Sequence, residues 1–149
     1  MINPNSTFVD TSGWVSFLVP KERFHADAKQ ILQMAAKSYR QPNSQPTVIT
    51  TNYILSEVIA LISSRPESRH LRSKSIEYVF TIQQTPYVQI IHVEQQVDLE
   101  AWARLRKFHD KEWSHVDASS FVLMERLNLR KALTSDHHFE QAGFERLLK

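Results

Sequence analysis

Ser114-His115-Val116-Asp117-Ala118-Ser119-Ser120-Phe121-Val122-Leu123-Met124-Glu125-Arg126-Leu127, followed by Lys131-Ala132-Leu133-Thr134-Ser135-Asp136, is the stretch whose reading decides the fold. Ser114-x-x-Asp117 is a capping-box pattern, so a helix starts here. The helix is apolar almost all round, as in a buried element. Lys131–Asp136 then reads as a short buried strand ending in an acid. One carboxylate opens the helix and another closes the strand. Carboxylates beside so much apolar sequence need a reason, because an unpaired buried charge is costly. Upstream, Asp10 and Glu57 stand in similar settings.

Outward from this stretch, strands and helices alternate. Thr7–Asp10 reads as a strand. Thr11-Ser12-Gly13 supplies cap residues for a short helix through Trp14, Phe17 and Leu18 that ends near Pro20. Phe24, Ala28, Ile31, Leu32, Ala35 and Ala36 recur at helical spacing between Lys21 and Tyr39. Arg40–Pro46 is a loop by its proline and polar content. Thr47–Thr50 is a second strand, and Thr51 caps a helix to about Ser64 with Ile54, Val58, Leu61 and Ile62 as its stripe. Pro66 suits the first turn of another helix, running to about Gln84. Tyr87–Val93 is the clearest strand. A helix from Glu94 to His109 precedes the Ser114 helix. Asp136–Phe139 reads as a turn or short helix, and Phe144–Leu148 as a last edge strand.

Strands separated by helices imply a parallel sheet covered on both faces. The expectation is an α/β fold, a three-layer α/β/α sandwich with a mostly parallel sheet of about five strands. A chain of 149 residues fits a single domain over 1–149. No apolar run reaches the ~18–20 residues of a membrane span. The start, Met1–Ser6, lacks a signal-peptide pattern. With no cysteine, disulfides and thiolate zinc sites are excluded, which agrees with a cytoplasmic protein. A P-loop is excluded because the only glycines are Gly13 and Gly143. A haloacid-dehalogenase-type phosphatase needs an Asp where Ser12 stands. The net charge is +2, so gathering four acids in one place leaves 2 + 4 = +6 elsewhere. A basic surround with an acidic centre suits a polyanionic substrate.

In open parallel sheets, sites form beyond the carboxyl ends of the strands. Asp10 and Asp136 follow strands, Asp117 opens a helix, and Glu57 lies about two turns into one. All four can therefore converge on one edge of the sheet. Each also has a plainer role: Asp10 and Asp136 as caps, Asp117 as the capping-box acid, Glu57 as half of an ion pair. Converged, they repel one another unless a cation intervenes. Oxygen ligands without cysteine suit Mg²⁺ or Mn²⁺ better than zinc or copper.

These residues resemble a known family. Trp113–Met124 and Ala132-Leu133-Thr134-Ser135-Asp136-His137-His138-Phe139 are similar to the third and fourth motifs of PIN-domain proteins, nearest to bacterial VapC-type toxins. Phe8-Val9-Asp10-Thr11-Ser12 resembles the first motif and Asn52–Val58 the second. The resemblance implies a three-layer fold and divalent-metal-dependent cleavage of RNA. It implies that Asp10, Glu57, Asp117 and Asp136 are the catalytic quartet, with Asp10, Asp117 and Asp136 on the metal. Thr11, Ser12 and Thr134 match hydroxyl positions that orient the ligands from behind. Toxin members pair with a small antitoxin and commonly form homodimers. The chain departs from the pattern at His115, Ser135 and His137. The alternatives are a non-catalytic PIN module that binds RNA or a protein, and a nuclease acting on DNA.

Other candidates lie around the quartet. Arg65, Arg69 and Arg72 are spaced by four and three, as on one helical face, and can track a phosphate backbone or form a solvated face. His138 is read as packing or touching substrate. Zinc on Asp136, His137 and His138 is disfavoured because adjacent helical side chains point apart. Asp110 sits in a charged turn and is read as an ion-pair partner. Trp102 and Trp113 are read as core residues rather than base-stacking ones.

Overall fold

The computed structural model describes residues 2–39 and 44–149. The loop expected at Arg40–Pro46 lies outside the described residues in its first four positions. The elements are β1 (Thr7–Val9), α1 (Thr11–Leu18), α2 (His25–Ser38), β2 (Val48–Thr51), α3 (Asn52–Ser64), α4 (Arg72–Gln83), β3 (Val88–Ile91), α5 (Gln95–Lys107), α6 (His115–Arg126), β4 (Lys131–Leu133), α7 (His138–Gln141) and β5 (Glu145–Arg146). The five strands form one sheet in the order β3-β2-β1-β4-β5, and every pair is parallel. Right-handed crossovers put α1–α4 on one face and α5–α7 on the other. The helix contacts agree: α1 packs on α2 and α3, α3 on α4, α5 on α6, and α6 on α7. The three-layer expectation is therefore met. Among the described residues no helix is long and apolar enough to cross a membrane.

The order in which strands are added reverses at β1: β2 lies on one side of it and β4 on the other. The crevice at the carboxyl ends of β1 and β4 is thus the switch point where α/β sheets hold ligands. The core lies directly beneath it. Phe8, Ile49, Ile54, Val58, Phe121, Met124, Leu133 and Phe139 are all fully enclosed. Burying a side chain of this size contributes about 1.5–3 kcal/mol. Phe121 packs edge-on against both Trp113 (5.1 Å) and Phe139 (4.9 Å), which ties α7 to α6. Buried polar groups are paired as well. The Trp14 indole N–H donates to Thr50 Oγ1, which itself donates to the Val9 carbonyl, each at 3.0 Å.

The structure departs from the sequence reading in places. The second helix starts at His25 rather than Lys21, because residues 20–24 form turns. Pro66 does not begin a long helix: turns and a single 3-10 turn at Arg69–Leu71 precede α4. The Ser68 hydroxyl, which bonds the Ile62 carbonyl at 3.0 Å, folds this segment back onto α3. Consequently Arg65, Arg69 and Arg72 do not share a helical face. Arg65 caps the end of α3, Arg69 sits in the 3-10 turn, and Arg72 begins α4. Trp102 is not a core residue, being 53% exposed. On α4, Phe80 is also exposed. The last strand is reduced to Glu145–Arg146.

Gly13 is where α1 touches β4. A Cβ there would lie 2.1 Å from the Leu133 carbonyl oxygen, a backbone atom that cannot swing away. Gly13→Ala is expected to push α1 off the sheet and cost about 1–3 kcal/mol, lowering the melting temperature by roughly 3–10 °C. Thermal unfolding followed by circular dichroism measures this.

Candidate active site

Asp10 is placed by β1 and held from β4. Its backbone N–H donates to the Leu133 carbonyl at 3.2 Å, extending the ladder by one residue. Asp10 is the N-cap residue of α1, yet its side chain makes no capping bond. The plain capping role is therefore not what this carboxylate does. Instead Oδ2 accepts the Thr134 hydroxyl at 3.0 Å. Thr134 Oγ1 also accepts the Asp136 N–H at 3.0 Å and lies 3.0 Å from Ser12 Oγ. Since Thr134 spends its one proton on Asp10, Ser12 must donate to Thr134. Ser12 Oγ in turn accepts the Ser135 N–H at 3.0 Å. This chain of hydroxyls joins the first and fourth acids across the switch point.

Asp117 fills two roles at once. The capping box is complete: Ser114 Oγ accepts the Asp117 N–H and Asp117 Oδ2 accepts the Ser114 N–H, both at 3.0 Å. The same carboxylate borders the cleft that holds Asp10. Asp136 Oδ1 accepts the His138 N–H at 2.9 Å, so its capping role is realised too. His138 Nδ1 lies 3.2 Å from both Asp117 Oδ2 and Asp136 Oδ1, and its ring spans the two carboxylates. Glu57 is half-buried on α3 and makes no ion pair among the described residues.

Asp10, Glu57, Asp117 and Asp136 line one cleft of about 330 Å³. Thr11, Ser12 and Ser135 also face it, as do Glu22, Arg23 and Arg65 at its rim. Arg65 Nη1 stands 3.7 Å from Glu22 Oε1, a loose and exposed pair. Arg23 and Glu22 escaped the sequence reading, because a turn rather than a helix carries them here. Arg69 and Arg72 do not line the cleft. Asp110 pairs loosely with Lys111 at 3.6 Å and lies elsewhere. A larger groove of about 860 Å³ runs beside β3 but carries no carboxylate.

Electrostatics mark the cleft. Burial, then the charges of Asp117 and Asp136, raise the Asp10 carboxyl to about 7, against bonds from Thr11 and Thr134 that lower it. Burial also raises Asp117, opposed by its bond to Ser114. Asp10 is 4% exposed and Asp117 7%, so solvent does little to separate their charges. The Thr11 hydroxyl, also in this cleft, is buried without a partner. An all-oxygen cluster with too little positive charge fits a hard divalent cation. The zinc alternative gains one point: ligand atoms of Asp136, His137 and His138 come within 4.8 Å, so the two imidazoles do not diverge. Against it, His138 Nδ1 already faces two carboxylates and His137 is 66% exposed in its side chain.

A carboxyl whose folded value exceeds its unfolded one keeps a proton that the unfolded chain has released. Between pH 4 and 7 metal-free stability therefore falls as pH rises, and it stays reduced above 7. Asp10→Asn is expected to make the metal-free protein more stable than wild type at pH 8, by about 2–4 kcal/mol. The gain should fade as pH approaches 4. Mg²⁺ or Mn²⁺ should raise the wild-type melting temperature more than that of the variant. Melting curves in EDTA across this pH range, and with metal at pH 8, check both expectations.

Comparison with known proteins agrees with this geometry. The chain is 30% identical over 137 residues to the 23S rRNA-specific endonuclease VapC20 of Mycobacterium tuberculosis, in strains CDC 1551 / Oshkosh and H37Rv. The match covers 92% of this chain and 94% of the relative. The crystal structure of Mycobacterium tuberculosis VapC20, described as a sarcin-ricin loop cleaving toxin, superposes with a TM-score of 0.75 at 29% identity. It covers 93% of this chain and 96% of that one. The family model for the PIN domain matches residues 7–145, and the chain belongs to the PIN-domain family.

Proposed function

We propose that this protein is a divalent-metal-dependent endoribonuclease, the toxin of a toxin–antitoxin pair, acting on the sarcin–ricin loop of 23S ribosomal RNA. The observation that carries the reading is the convergence of four carboxylates on one cleft in a PIN-family chain. The target comes from VapC20, whose similarity extends over nearly the whole chain. A small antitoxin that covers the cleft, a homodimer and a cytoplasmic location belong to the same reading.

In this mechanism Asp10, Asp117 and Asp136 would hold Mg²⁺ or Mn²⁺, directly or through water. When bound, such a cation neutralises charge on the scissile phosphate and makes water more acidic. Glu57 orients the attacking water and accepts its proton. The water oxygen bonds to phosphorus as the bond to the 3′ oxygen breaks, and that oxygen takes up a proton from solvent, giving a 5′-phosphate and a 3′-hydroxyl. Thr134 and Ser12 keep Asp10 and Asp136 in register. Arg65 and Arg23 at the rim offer positive charge to the RNA backbone.

Asp10→Asn and Asp117→Asn keep the size of each side chain and are expected to leave a folded protein. Each should lower chelator-sensitive RNA cleavage by more than ~100-fold, beyond the effect of losing a ligand's supporting partner. Glu57→Gln should lower kcat by about 100- to 10,000-fold, the range for general acid–base groups. Gel-resolved cleavage of ribosomal RNA with and without EDTA measures this. Full activity in both Asp variants would defeat the assignment. RNA binding by wild type without any chelator-sensitive cleavage would favour a non-catalytic module.

A further inference from the structure

Next to the acid cleft, three rings and one carboxylate from three helices form a layered cluster. Tyr53 is in the first turn of α3, Asp98 and Trp102 lie one turn apart on α5, and His115 opens α6. The Tyr53 hydroxyl donates to Asp98 Oδ1 at 2.9 Å. His115 Nε2 lies 3.2 Å from the same oxygen. Trp102 stacks on His115 with ring centroids 4.0 Å apart and planes 19° from parallel, while the Tyr53 ring is 5.8 Å from His115. The His115 side chain is only 19% exposed, yet Trp102 remains 53% exposed. One indole face is covered by His115, so the exposure falls on the other face and the edge.

Position connects this cluster to the reaction. Tyr53, Glu57, Leu61 and Arg65 recur every four residues and share one slowly winding stripe of α3, about 18 Å long at 1.5 Å per residue. Glu57, Leu61 and Arg65 line the acid cleft. Tyr53 stands one turn beyond Glu57, at the end away from Arg65. On α6, His115 lies in the same first turn as Asp117. The α3 stripe therefore sets the rings beyond Glu57, opposite the arginine end, while on α6 His115 and Asp117 share a turn but point to different sides of the helix.

We propose that the open face of Trp102, braced by His115, Asp98 and Tyr53, is a stacking platform for a nucleobase flanking the scissile phosphate. This rests on the ribonuclease reading above. Single-stranded and loop RNA is recognised largely by splayed bases stacking on aromatic rings, and any base can supply the π-face. A pre-stacked indole loses little freedom when a base arrives. A protein contact is a poorer match. Leu99, one turn before Trp102 on α5, is the other exposed large apolar residue of that helix, and Gln95 and Arg106 are the exposed polar residues on the same face. Two apolar side chains between polar ones make a small patch for the centre of a stable interface.

The test uses the full chain and an RNA hairpin with the sarcin–ricin loop sequence. Steady-state cleavage in Mg²⁺ is measured for wild type, Trp102→Ala and Trp102→Phe, with melting temperature and sedimentation alongside. Removal of a base-stacking ring should raise KM about 5- to 100-fold in Trp102→Ala. Its kcat should remain within about twofold of wild type, and Trp102→Phe should recover most of the KM. The hairpin should also quench the fluorescence difference between wild type and Trp102→Phe. Unchanged KM in Trp102→Ala, with wild type cleaving the hairpin, overturns the platform alone. A Trp102→Ala variant with altered oligomeric state assigns the indole to a protein contact and overturns it too. Absence of any chelator-sensitive cleavage by wild type overturns the ribonuclease reading, and the platform with it.

Discussion

The crowding of Asp10 against Asp117 is the constraint on which the rest of the structure depends. Both carboxylates are nearly closed to solvent, and a third, Asp136, stands beside them. Water does little to screen these charges, and hydroxyls, backbone N–H groups and His138 oppose their repulsion. Metal-free, burial first and the neighbouring charges of Asp117 and Asp136 second favour the protonated form, and the Asp10 carboxyl rises to about 7. Folding thus tolerates an unfavourable arrangement at this point, supported by the well-packed core beneath. A divalent cation bound there would remove the conflict and make the same arrangement favourable.

Local structure and chemistry share atoms here. Asp117 completes the capping box of α6 and borders the cleft with the same side chain. Asp136 closes the turn before α7 and also faces the cleft. Thr134 uses its full hydrogen-bonding capacity to tie Asp10, Asp136 and Ser12 together. The edge-on packing of Phe121 and Phe139 sets the distance between the helix and turn that carry Asp117 and Asp136. Positioning of the acids is therefore built from ordinary capping and packing, with no separate scaffold.

Much of the fold was legible from the chain. Strand–helix alternation implied a parallel sheet, and the observed sheet has five parallel strands. The buried character of α6 followed from its apolar residues on every side. Element ends were less legible. Pro66 looked like a helix start, but Ser68 bonding back to Ile62 bent the segment into turns. That single contact separated three arginines that spacing alone had aligned. Trp102 reads as core because tryptophan is large and apolar, whereas its stacking on His115, which leaves it at the surface, is made between helices. Arg23 gave no signal, since a turn delivers it to the cleft.

By itself, the sequence determined the class of fold, the residue types available for chemistry and the family, because periodicity, capping residues and motifs are local in the chain. Tertiary structure decided which of those residues meet. Thr134 reaches Asp10 across 124 positions, Tyr53 reaches Asp98 across 45, and His138 lies between two acids from different elements. No local pattern encodes such distances. They follow from the reversal of strand order at β1 and from the packing of one helix against another.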